Sequence, residues 1–139
     1  MTLRRAIPTL VLGLLCWSRS ASGQTPCKGL ENLPTTTGWR ALHRVFRATA
    51  CDDGDVAEAF SDIVVHGLST RWGDLPLLER LTSADTAFRR FVLQHVDATT
   101  DDSELAHIVG LTSTECPKGA FTLCTDIGRR ATEAIASMR

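Results

Sequence analysis

Residues 118–138 read KGAFTLCTDIGRRATEAIASM, and this stretch decides the fold class. Ala120, Leu123, Cys124, Ile127, Ala131, Ala134, Ile135 and Met138 recur at steps that keep them on one side of a helix with 3.6 residues per turn. A continuous stripe of this kind buries against neighbouring elements and leaves the opposite side in water. The spacing predicts a helix from Lys118 or Gly119 to near Ser137.

Working back along the chain, the same period recurs. Asp101 followed by Glu104 resembles a capping box, which would open a helix from Leu105 to about Thr112. Before it, a helix beginning at Ser83 or Asp85 and ending near Ala98 would turn Phe88, Phe91, Val92, His95 and Val96 inward. A short helix from Leu75 to Leu81 would be capped by Asp74, with Pro76 in its first turn, where its missing N–H costs nothing. Val56, Phe60, Ile63, Val64, Gly67 and Leu68 give the widest apolar face and mark a central helix, starting at Asp52 or Asp53 and ending near Trp72-Gly73. The first helix starts after Gly38, with Trp39, Leu42, Val45, Phe46 and Thr49 on one side and Arg40, His43, Arg44 and Arg47 on the other. An extended arm is expected over 24–36. No stretch alternates apolar and polar residues as a half-buried strand would. The expected fold class is therefore all-α: a compact bundle of five to six short helices, 24–139 forming a single domain.

The first residues set the compartment. Arg4 and Arg5 precede an apolar run from Ala6 to Trp17, which gives way to small residues ending at Ala21 and Gly23. That order is a cleavable secretory signal peptide, residues 1–23, and the run is shorter than the ~20 residues a membrane-spanning helix needs. The product is expected to be exported, periplasmic or extracellular, with no membrane insertion after signal cleavage. Cleavage would remove Arg4, Arg5 and Arg19, three of fifteen basic residues, leaving twelve against sixteen acidic ones. A protein of about minus four has no electrostatic reason to bind nucleic acid.

In an oxidising compartment the four remaining cysteines, Cys27, Cys51, Cys116 and Cys124, read as two disulfides. Reach favours Cys27 with Cys51, because an arm folded back along the first helix spans ~30 Å where the helix occupies ~20 Å. Cys116 would then pair with Cys124 and staple a helix entry.

The chemistry-bearing residues are few. Asp52-Asp53-Gly54-Asp55 invites a calcium reading, but setting Gly54 at the turn glycine places Phe60 where the bidentate glutamate belongs. No two histidines stand three or four apart, so no metal and no cofactor are expected. Nucleophile-elbow, zinc-protease, P-loop and dinucleotide motifs are missing from the sequence. His95 stands out because it falls in the middle of an apolar face, a position suited to a packed histidine or to the wall of a pocket. Asp97, two residues on, would point to the other side of a continuing helix. Arg40, His43, Arg44 and Arg47 form a basic stripe on an acidic protein, suited to receiving carboxylates from a protein partner with an acidic surface.

These features lead to an exported small helical binding protein, an inhibitor or immunity-type protein acting on another macromolecule. Its short, exported, helical and disulfide-held character resembles periplasmic immunity proteins in architecture, without a shared motif. The alternative is a small exported enzyme or ligand carrier with a pocket around His95.

Overall fold

Six α-helices and no strand form among residues 27–98 and 101–139, which the computed structural model describes. They are α1 (Trp39–Ala48), α2 (Gly54–Thr70), α3 (Leu75–Ala84), α4 (Thr86–Gln94), α5 (Asp102–Thr114) and α6 (Phe121–Ser137). The signal-peptide expectation for residues 1–23 lies outside the described residues. So do the first residues of the arm. From Cys27 the arm is less extended than expected, forming a 3-10 turn at Leu30–Asn32 that packs on α2.

The helix ends show local chemistry and tertiary demand competing. Asp85 caps α4 by accepting from the Phe88 N–H at 3.0 Å. At its other end α4 stops at Gln94, four residues before the expected Ala98, and Val96 N–H turns back to Leu93 C=O. α3 continues to Ala84, three residues beyond Leu81. Thr82 can be buried there because its hydroxyl donates to Leu78 C=O at 2.9 Å. The capping box at α5 does not form. Asp101 accepts from Ser103 N–H, while Glu104 reaches across to His66 and accepts from the Ser69 hydroxyl at 2.8 Å. Two partners on a packed neighbouring helix draw that carboxylate away from its own helix end.

α2 is the central element, burying Val56, Phe60, Ser61, Ile63, Val64, Val65, Gly67 and Leu68. α5 and α6 form a closely packed pair, α5 also lies on α2, and α3 bridges α4 and α1. Two glycines set the closest approaches. A Cβ on Gly67 would stand 3.0 Å from the Trp39 ring, and one on Gly128 would stand 2.7 Å from Thr112 Oγ1. Trp39 is held from above by Arg71, which lies 5.8 Å from its ring centroid and donates to Thr36 and Thr37 carbonyls. Beneath α1 and α4, Phe46, Phe88, Phe91 and Phe60 meet with centroids 5.0–5.9 Å apart. Such pairs add ~0.5–1.5 kcal/mol each beyond the area they bury.

Two disulfides close the ends. Cys27 is bonded to Cys51, Cα atoms 5.6 Å apart, fixing the arm to the α1–α2 connection. Cys116 is bonded to Cys124, Cα atoms 6.1 Å apart. Because α6 begins only at Phe121, Cys124 lies in its first turn. The chain enters through Gly119, whose φ of 87° suits a residue without a Cβ.

Candidate functional site

Since α4 ends before it, His95 stands at the helix C-cap with 2% of its surface exposed, between the ring edges of Phe60 and Phe91. Its Nδ1 is 2.9 Å from Ser61 Oγ on α2, and its Nε2 is 2.9 Å from Asp52 Oδ1 on the α1–α2 connection. The Ser61 hydroxyl in turn lies 2.9 Å from Asp97 Oδ2 and 3.1 Å from Ala57 C=O. The expectation that Asp97 would point away from His95 assumed a continuing helix. With the helix ended at Gln94, the chain turns and both side chains meet Ser61. They are joined through its hydroxyl, not as a direct dyad.

A serine hydroxyl has one proton, and the carboxylate is its strongest available acceptor, so Ser61 donates to Asp97. Ser61 Oγ and His95 Nδ1, 2.9 Å apart, make a bond whose donor is set by the imidazole tautomer. On its other side Nε2 stands 2.9 Å from Asp52 Oδ1, a carboxylate that favours a proton on that nitrogen. Burial pushes the imidazole below the ordinary histidine range, against the opposing pull of Asp52 and Asp97.

The order hydroxyl, imidazole, carboxylate is that of an activated nucleophile. Access argues against that use. Ser61 is 1% exposed, and an attacking oxygen must come within ~3–3.5 Å of a substrate atom. What the arrangement does is fasten three segments together: the α1–α2 connection, the middle of α2 and the exit from α4.

On the outside of α1, Arg40, Arg44 and Arg47 lie exposed along one face. His43 parts from them. Its side chain is only 25% exposed, its ring sits 4.6 Å from Phe88, and its Nε2 is 3.0 Å from Asp85 Oδ2. A histidine next to an aromatic cluster can bury its ring and still satisfy one nitrogen, which an arginine there could not. Arg47 comes within 3.4 Å of the same carboxylate. The His43 contact, followed by the Phe88 N–H, holds Asp85 below the usual carboxylate range. Arg40 and Arg44 make no ion pair among the described residues, and α1 carries no acidic residue.

A third feature escaped the periodicity argument. Phe121, at the first position of α6, is 78% exposed beside a cleft of about 660 Å³ between α5 and α6. The sequence signal was present, since Phe121 falls off the apolar stripe of its own helix. The hydroxyls around that cleft are already engaged: Thr112 and Ser113 donate to Val109 C=O, Thr125 to Phe121 C=O and Thr132 to Gly128 C=O. Arg129 is paired with Glu133 and Asp126. Among the described residues no group of three His, Cys, Asp or Glu side chains comes together to hold a metal ion.

No protein-family model matches the chain, and neither a curated protein nor a solved structure does.

Proposed function

We propose that this chain is an exported small helical binding protein, of inhibitor or immunity type, that engages an acidic surface of another macromolecule through α1. The observation that carries this reading is the row of three exposed arginines on a helix with no acid of its own, two of them without an ion pair among the described residues. Guanidinium forks grip carboxylates bidentately, and unneutralised charge steers encounter. The disulfides, and the lack of any helix long and apolar enough to cross a membrane among the described residues, are compatible with export to the periplasm or medium. Arg44, central in the row, is the anchor expected to be best shielded from water on binding.

The test is capture from periplasmic extract with the oxidised protein as bait, in ~0.15 M salt. Wild type should retain a partner that the double reversal Arg40→Glu, Arg44→Glu loses, at an unchanged melting temperature. Equal retention by both baits would refute the role of α1. A small exported enzyme or ligand carrier built around His95 is the second reading, and the Ser61–His95–Asp52 contacts are the observation in its favour. It requires Ser61 to become accessible, so labelling of Ser61 by a serine-directed phosphonate in the folded protein would establish it.

A further inference from the structure

Arg40, Arg44 and Arg47 follow one another along α1 at steps of four and then three residues. The exposed side of α2 carries Asp55, Glu58 and Asp62, at steps of three and then four. At 1.5 Å per residue those steps are ~6 and ~4.5 Å, so each row spans ~10.5 Å. On each helix the three positions fall within an arc of ~60° at ~100° per residue. The two rows superimpose when the helices run antiparallel, with Arg40 opposite Asp62, Arg44 opposite Glu58 and Arg47 opposite Asp55.

The rows do not satisfy each other within one molecule. Asp55, Glu58 and Asp62 make no ion pair among the described residues, and the row on α1 has only the Arg47 contact with Asp85. From this match of sign, spacing and exposure we propose that two copies of the chain associate, with α1 of one lying antiparallel on α2 of the other. The proposal rests on the reading of the arginine row as a recognition face and names a second copy as its occupant. The acidic row on α2 is the added element. Exposed ion pairs are individually weak, so the association is weak, set by three aligned pairs acting together, and sensitive to salt. At low salt a net negative charge opposes it, and local complementarity has to outweigh that repulsion.

Sedimentation of the oxidised protein over roughly 10–500 µM, in ~20 mM and ~0.5 M salt, tests this directly. The expected result is a mass average that rises with concentration at low salt, with at least a tenfold weaker dissociation constant at high salt. Arg44→Glu and Glu58→Arg should each leave a monomer with the wild-type melting temperature, and mixing the two variants should restore association by pairing the reversed charges. A monomer at every concentration in low salt would overturn the proposal. So would association that survives Glu58→Arg, or one that strengthens with salt, as burial of the apolar Phe121 face would. Glu58→Arg leaves α1 intact, so its effect on self-association is separable from capture of an outside partner. Either reading can fail while the other stands.

Discussion

Replacing Ser61 by Ala removes one oxygen from a side chain that is 1% exposed and leaves the carbon frame in place. The structure sets the cost. Asp97 loses a hydroxyl donor at 2.9 Å, a bond to a charged acceptor of the kind that contributes ~1.5–3 kcal/mol. His95 Nδ1, 2.9 Å from the same oxygen, is left as a buried polar nitrogen without a partner, at ~1–3 kcal/mol. The two losses share one atom and do not add in full, and alanine returns ~0.5 kcal/mol of helix preference. The net expectation is a destabilisation of about 2 kcal/mol. That corresponds to a melting temperature lower by roughly 8–10 °C for a domain of this length. Urea unfolding at pH 7.5 measures it, with an unchanged slope showing that the folded state keeps its extent. Ser113→Ala is the control, because that exposed serine makes the same bond to the carbonyl four residues back and has no second partner among the described residues. Its effect should stay within ~0.5 kcal/mol. If Ser61→Ala costs no more than Ser113→Ala, the hydroxyl is not the joint between α2, His95 and Asp97.

Three further outcomes are expected. Because burial lowers the His95 proton affinity in the folded state, the unfolded chain binds that proton more readily. The stabilising contribution is fully present above about pH 6.5 and is lost as pH falls through the folded-state value, so His95→Gln should flatten that limb of a pH series of urea midpoints. Parallel wild-type and variant curves would remove His95 as its source. Gly128→Ala drives a methyl to 2.7 Å from Thr112 Oγ1 and should cost roughly 1–3 kcal/mol, whereas Gly110→Ala on α5 meets nothing within 4 Å and should gain ~0.5–1 kcal/mol in thermal melts. Opposite signs are the point of that comparison. Replacing both Cys27 and Cys51 by Ala should cost ~3.5 kcal/mol, and replacing Cys116 and Cys124 ~2.5 kcal/mol, the longer loop losing more in chemical denaturation.

The sequence by itself determined where the helices lie and, for the middle of each, which side is buried, because the 3.6-residue period is written locally; at the end of α6, Met138 belongs to the stripe by spacing but lies past the helix and is exposed. Val56, Phe60, Ile63, Leu68, Phe88, Val92, Leu123, Ile127 and Ala131 are all buried as their spacing required. Helix ends were less legible where a side chain had a better partner on another element, as Glu104 has in His66 and Ser69. The surroundings of His95 were decided only by the tertiary structure. Burial of its ring could be read from Phe91 and Val92 beside it. That Ser61 comes from α2, Asp52 from a connection and Asp97 from beyond an early helix end depends on how three segments meet in space. The same holds on α1. Four basic residues share a helical side by period alone, yet the packing of α1 against Phe88 and Asp85 draws His43 inward and leaves the arginines in water. Periodicity assigns a side to every residue on a helix. Only the neighbour packed against that helix decides where the side ends and which polar group at its edge is taken into the core.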